Sequence, residues 1–119
     1  MSRPILVLDF DGVLHSYTSG WQGASNIPDE PVPHAQTFVN DALEHFEVAI
    51  YSSRSHQKGG IRAMKEWLRK WHFPYTSLQF PTLKPPAMLT IDDRAICFNG
   101  QWPTIQTLKE FKPWHKTKG

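Results

Sequence analysis

Residues 5–14 read Ile5-Leu6-Val7-Leu8-Asp9-Phe10-Asp11-Gly12-Val13-Leu14, and this stretch decides the fold. It begins with a short apolar run, which predicts a buried strand over residues 5–9. Asp9 and Asp11 are two residues apart, so an extended chain would point both carboxylates the same way. Gly12 then allows a sharp turn of the backbone. The stretch therefore predicts a strand that carries two acids to the carboxyl end of a sheet, where open α/β sheets bind ligands.

The composition of the 119 residues is that of one globular domain, 1–119. Lysine and arginine exceed aspartate and glutamate by 13 to 11, and so small an excess does not by itself imply a nucleic-acid partner. The single cysteine, Cys97, excludes an intramolecular disulfide and a cysteine metal cluster. No apolar run is long enough for a membrane span or a secretory signal. We therefore expect a cytoplasmic protein with no membrane partner.

The remaining apolar pattern predicts a mostly parallel sheet covered by helices, which is an α/β fold. Apolar side chains three and four apart predict helices within residues 35–46 and 61–71 and after Trp102-Pro103. Short apolar runs predict further strands at 48–51, 77–80 (weakly), 87–91 (buried) and 95–98. The basic tail 109–119 is interpreted as a frayed end.

The connection between the first strand and the first helix, residues 15–33, is too long for an ordinary loop. Its Ser, Thr, Gly, Asn and Pro content is typical of lids and binding loops, so we predict a flap or lid there. Trp21 would either fix this loop to the body of the protein or contact substrate. The histidines His15 and His56 lie near the expected site, but solvated loop histidines are the simpler interpretation.

Three of the predicted strands end in polar residues of different kinds. Asp9 and Asp11 follow the first strand, and Asp92 and Asp93 follow the strand at 87–91. Carboxylates that converge at one edge of a sheet need a cation, and all-oxygen ligands suit Mg²⁺, which usually also binds substrate phosphate. A carboxylate beside Mg²⁺ can attack phosphorus, and a second carboxyl can transfer protons. The hydroxyl of Ser52, at the end of the second strand, and the ammonium of Lys84 can hold the phosphoryl oxygens.

These residues resemble, in order, the four motifs of the haloacid dehalogenase superfamily. Residues 9–14 are similar to its first motif and residues 48–52, which end in Ser52, to its second. Lys84 resembles the third motif and residues 90–93 the acidic fourth. The resemblance spans nearly the whole chain. It implies a Rossmann-like three-layer fold with a mostly parallel central sheet and helices on both faces.

The resemblance also implies the role of each site residue. Asp9 would be the nucleophile and Asp11 the general acid/base. The magnesium ligands would be the carboxylates of Asp9 and Asp92 and the backbone carbonyl of Asp11, with Asp93 assisting. Ser52, Ser53, Lys84 and Arg54 would bind the phosphate. Arg54 has a second interpretation, as a solvated or structurally paired arginine.

Within the superfamily, the acid at position 11 is typical of phosphatases and phosphomutases. The chain has no room for a cap domain, so we expect a capless phosphatase that works through an aspartyl-phosphate. Capless relatives often act on macromolecules, and a nucleic-acid end is one such substrate. The alternatives are a phosphotransferase and a non-catalytic binding or regulatory module with the same fold.

Overall fold

The computed structural model describes residues 3–116 and has an α/β architecture. Short 3₁₀ turns follow the second strand, the second helix and the third helix, at Ser53–His56, Tyr75–Ser77 and Trp114–Lys116. The strands and helices in chain order are β1 (Ile5–Leu8), α1 (Ala35–Leu43), β2 (Glu47–Ile50), α2 (Gly60–Lys70), β3 (Leu89–Ile91) and α3 (Ile105–Lys109).

The three strands form a parallel sheet in the order β2-β1-β3, with β1 in the centre. Leu8 near the end of β1 is level with Ile50 of β2 and Ile91 of β3. All three strands therefore end at the same edge of the sheet, as the sequence predicted. The coarse prediction of an α/β fold with a parallel sheet is confirmed.

The hydrophobic core joins β1 and β2 to the first two helices. Val39 and Ala42 of α1 are buried, as are Met64, Trp67 and Leu68 of α2. The spacings of three and four residues between them place each set on one face of its helix. Full burial of each large apolar side chain stabilises the fold by about 1.5–3 kcal/mol. These two helices and two strands are the elements that the sequence pattern predicted most closely.

The C-terminal third departs from the prediction. The strand at 87–91 was expected to be buried, yet Leu89 is 58% and Ile91 36% exposed because the core cluster does not extend over β3. No strand forms at 95–98. At 77–80 only Gln79 pairs, through one bridge to Ala49 of β2. Apolar composition predicted strands here, but it could not supply the packing partners that strands need.

Among the described residues, no helix has both the length and the apolar character needed to cross a membrane.

The burial of two tryptophans predicts a large difference in how much each contributes to the free energy of unfolding. Trp67 is 4% exposed and its indole donates to the carbonyl of Asp29 at 2.9 Å, whereas Trp102 is 84% exposed. We expect Trp67→Ala to lower the free energy of unfolding by about 3–5 kcal/mol, because it leaves a cavity. The matched change Trp102→Ala should stay within about 0.5 kcal/mol of the unmodified chain. Urea unfolding measures both, and equal losses would contradict this description of the core.

Candidate active site

Three carboxylates meet where β1 and β3 end. Asp9 directly follows β1, and its backbone N–H donates to the carbonyl of Ile91 at 2.9 Å, which extends the pairing with β3. Asp92 and Asp93 directly follow β3. One carboxylate oxygen from each of the three acids lies within 4.8 Å of the others. The parallel sheet thus brings together acids that are more than eighty positions apart in the chain.

The three carboxylates of this cluster disfavour one another's charge. Burial raises the pKa of Asp9 to about 8, and a hydrogen bond with Asp93 and the charge of Asp92 act in the same direction. A bound cation would oppose this rise, because it stabilises the ionised carboxylate. Three carboxylate oxygens suit Mg²⁺, which prefers oxygen ligands and usually keeps several waters. The residues present fit the ion.

Asp11 has a different environment, although it is only two residues away. Arg54 donates from Nε to Oδ2 of Asp11 at 3.0 Å and from Nη2 to Oδ1 at 3.1 Å. His15 Nδ1 is 2.8 Å from Oδ1. Burial alone would raise the pKa of Asp11, but these hydrogen bonds and the charge of Arg54 outweigh it and hold the pKa below its usual value. The Asp11 side chain is thus a carboxylate bound by donors, and it lies outside the three-acid cluster.

His15 is a site residue that the sequence analysis missed. It was interpreted as a solvated loop histidine, and that interpretation is wrong because its side chain is fully buried. The backbone N–H of Asp29 donates to Nε2 of His15 at 3.1 Å, so Nε2 accepts and Nδ1 carries the proton that it donates to Asp11. The available signal was its position, four residues after Asp11 and directly after the apolar pair Val13-Leu14. His56, in contrast, is exposed and contacts the hydroxyl of Tyr51.

Arg54 is fully buried and structurally paired. Besides Asp11, it binds the loop 15–33, since Nη1 donates to the carbonyls of Gly23 at 2.9 Å and Ala24 at 2.8 Å. Its guanidinium also lies 4.7 Å from the ring centroid of Trp21. Arg54 is thus structurally paired, and its predicted contact with the phosphate stays a prediction. Arg54, which follows β2, therefore connects this end of the sheet to Asp11 and to the loop 15–33.

The loop 15–33 is fixed along the site by further contacts. Near the two ends of the loop, the backbone N–H of Ser16 donates to the carbonyl of Glu30 at 2.9 Å. The carboxylate of Asp29 accepts from the backbone and the hydroxyl of Ser19, at 2.8 and 2.6 Å. Trp21 stacks on Arg54, which fixes the loop to the body of the protein, and it also lines the cavity beside the acids. Its contact with substrate stays a prediction. Movement of the loop as a lid stays a prediction.

The cavity at this edge has a volume of about 290 Å³. It contains only part of the predicted phosphate site. Ser53 lines it, whereas the Ser52 hydroxyl accepts from the N–H of Arg54 at 3.0 Å and caps the 3₁₀ turn. Lys84 is exposed in its proline-rich loop and is not part of the lining. The full lining is Asp9, Asp11, Tyr17, Trp21, Ser53, Asp92, Asp93 and Arg94.

The C-terminal tail also reaches the site, so its interpretation as a frayed end is wrong up to residue 116; residues 117–119 lie outside the described part. Trp114 Nε1 donates to the carbonyl of Gly12 at 2.7 Å, and His115 Nε2 lies 2.9 Å from Oδ2 of Asp93. Gly12 permits this packing, because a Cβ there would lie 2.2 Å from Oδ2 of Asp93 and its φ is +81°. No short motif in the tail indicates these contacts, which depend on the path of the whole chain.

Comparisons of the chain with protein-family models, with curated proteins and with solved structures gave no match. The geometry of the site is therefore the basis on which a function can be assigned.

The raised pKa of Asp9 predicts how stability depends on pH. The folded chain retains a proton with a pKa of about 8 that the unfolded chain loses near 3.8. Without a divalent cation, the contribution of Asp9 to the free energy of unfolding should therefore fall as pH rises from about 4 to about 8 and then level off. Urea unfolding in EDTA at several pH values measures this slope, and Asp9→Asn should remove that part of it. A slope unchanged in Asp9→Asn would contradict the assignment.

Loss of the ion pair between Arg54 and Asp11 should lower the stability of the fold by a large amount. Arg54→Met should lower the free energy of unfolding by about 3–5 kcal/mol, because it leaves the part-buried carboxylate of Asp11 without its cation and the loop carbonyls without their donor. It should also expose residues 15–33 to proteolysis, since the loop loses its anchor. The control is Arg62→Met, whose side chain is 86% exposed in its pair with Glu66, and it should change stability by less than about 0.5 kcal/mol. Equal effects would show that the buried pair contributes little.

Proposed function

We propose that the chain is a Mg²⁺-dependent phosphatase that hydrolyses phosphate monoesters through an aspartyl-phosphate on Asp9. The observation that carries this proposal is the cluster of Asp9, Asp92 and Asp93 at the carboxyl ends of adjacent parallel strands. A second acid, Asp11, lines the same cavity but is bound by donors. Without a cation the pKa of Asp9 is raised and that of Asp11 is lowered, which is opposite to these roles, so the proposal needs a bound cation that ionises Asp9.

In the first step, a carboxylate oxygen of Asp9 attacks phosphorus, and the bond from phosphorus to the ester oxygen breaks. Asp11 gives a proton to the departing oxygen, so it must hold one when the substrate is bound. Asp11 lines the cavity, so this proton can arrive from water there as the substrate binds. When bound, Mg²⁺ would favour the ionised form of Asp9 and neutralise charge on the phosphoryl oxygens.

In the second step, water attacks the phosphorus of the aspartyl-phosphate. Asp11 accepts a proton from this water, the bond from phosphorus to Asp9 breaks, and phosphate is released. The lowered pKa of Asp11 suits this step, because a carboxylate is the form that a base requires. Arg94 is the cation that lines the cavity and can bind phosphoryl oxygens. His115 contacts the carboxylate of Asp93 and can orient it, as hydrogen-bond partners of metal ligands do in metal sites.

The same proposal includes the finer architecture and setting. The chain would be a capless member of the haloacid dehalogenase superfamily with a Rossmann-like three-layer fold, and it would act in the cytoplasm. The parallel order β2-β1-β3, with acids after the central strand, supports this assignment. For Lys84 to bind the phosphate, its loop would have to bring it into the cavity on substrate binding. The substrate would be a small phosphate ester or the phosphorylated end of a nucleic acid.

One observation favours a second candidate, a binding module on the same fold. The lysine that a phosphatase of this type needs, Lys84, lies outside the cavity lining. Such a module would bind Mg²⁺ and phosphate esters without turnover. A phosphotransferase would instead pass the phosphoryl group to an alcohol, and product analysis with an added alcohol acceptor identifies it.

The assigned roles predict distinct effects for the two acids. With 4-nitrophenyl phosphate and Mg²⁺, Asp9→Asn should show no turnover, because it lacks the nucleophile. Asp11→Asn should release about one nitrophenolate per protein in a burst and then slow at least about 100-fold, because nitrophenolate leaves without a proton but hydrolysis of the intermediate needs the base. Stopped-flow absorbance measures the burst, and mass spectrometry detects the phosphorylated protein.

The matched control is Asp41→Asn, an exposed acid on α1, which should behave like the unmodified chain. Normal turnover by Asp9→Asn would overturn the mechanism. Binding of Mg²⁺ and phosphate esters by an unmodified chain that turns over none of them would favour the binding module.

A further inference from the structure

The lining of the cavity contains two kinds of side chain. The carboxylates, with Ser53 and Arg94, are the groups that would hold the cation and the phosphoryl group. The other two side chains are aromatic, Tyr17 and Trp21, and both come from the loop 15–33. The proposed phosphatase reaction does not use the aromatic pair, so it is available for the part of the substrate that the phosphoryl group is attached to.

Trp21 is held in place while much of it stays open. The guanidinium of Arg54 lies 4.7 Å from its ring centroid, and Arg54 is itself fixed by Asp11 and by two loop carbonyls. Even so, the residue is 46% exposed. A ring with one face against a fixed cation and a large exposed area beside a cavity is a stacking platform for a second ring.

Tyr17 is held there in a strained backbone. Its φ is +63°, a region that bulky residues rarely occupy and that costs least for glycine or asparagine. Its ring packs edge-on against His15 at 5.9 Å and against His115 at 5.7 Å, both of which contact the acids of the site. The contacts with both histidines thus hold a bulky ring in the cavity lining against the local preference of the backbone.

We propose that Tyr17 and Trp21 bind a planar aromatic ring of the substrate. The substrate class is then a phosphate monoester with such a ring close to the phosphate, and nucleoside monophosphates are the biological class that fits. The volume of about 290 Å³ is near the lower end of the range for small-molecule sites, which suits a single nucleotide. This inference rests on the proposed function for the position of the phosphoryl group.

The test compares two esters with the same reacting group. Adenosine 5′-monophosphate and methyl β-ribofuranoside 5-phosphate share the ribose 5-phosphate ester and differ in the base. We expect kcat/KM to favour the nucleotide roughly 5- to 100-fold, which is the contribution of one stacked base. The quantity measured is the ratio between the two substrates, so a general loss of activity does not imitate the result.

Variants of Trp21, with a control, test whether this residue causes the preference for the nucleotide. Trp21→Leu should bring the ratio close to one, and Trp21→Phe, which keeps a ring, should retain a clear preference for the nucleotide. Trp102→Leu changes an exposed tryptophan that does not line the cavity and should keep the full ratio. Circular dichroism verifies that each variant is folded.

The outcomes separate the two proposals. Turnover of both esters at equal kcat/KM overturns the aromatic site and leaves the phosphatase intact. If neither ester is turned over, titration calorimetry of both with the Mg²⁺-loaded protein decides the inference. Tighter binding of the nucleotide, lost in Trp21→Leu but not in Trp102→Leu, then supports the site, and equal binding or no binding overturns it.

Discussion

The buried guanidinium of Arg54 is the group on which the arrangement of the site depends. A cation without solvent needs a charged partner and hydrogen bonds for its remaining N–H groups, and Asp11 and the carbonyls of Gly23 and Ala24 provide them. The pair therefore joins the first strand, the end of the second strand and the long loop. Gly60 belongs to the same arrangement, because a Cβ there would lie 1.9 Å from the carbonyl oxygen of Arg54. Only glycine lets α2 begin this close.

Two neighbouring acids acquire opposite properties from this arrangement. Burial acts on Asp9 and on Asp11 in the same direction, so the difference comes from their partners. Asp9 is near other carboxylates and its pKa rises, whereas Asp11 is bound by Arg54 and His15 and its pKa falls. The local sequence Asp-Phe-Asp cannot encode this difference. It arises from the parallel sheet on one side of the strand and the folded loop on the other.

The parts of the structure that could be predicted from the sequence are those with local signals. Apolar periodicity located β1, β2, α1 and α2, and the polar residues after the strands indicated the three-acid cluster. The contacts of His15 and His115 could not be predicted, because they depend on how the loop 15–33 and the tail return to the sheet. The exposure of β3 was missed for a related reason, since an apolar run does not show whether anything packs on it.

The loop 15–33 has two tasks in the structure, because it binds Arg54 and it lines the cavity. Its hydrogen bonds to Arg54 come from backbone carbonyls, which every residue has, so these bonds do not depend on the identity of the loop's side chains. The cavity lining, in contrast, uses the side chains of Tyr17 and Trp21. Side chains in the lining can therefore change without loss of the hydrogen bonds that join the loop to Arg54. Under the proposed phosphatase function, this loop is the part of the structure best placed to determine which phosphate ester is bound.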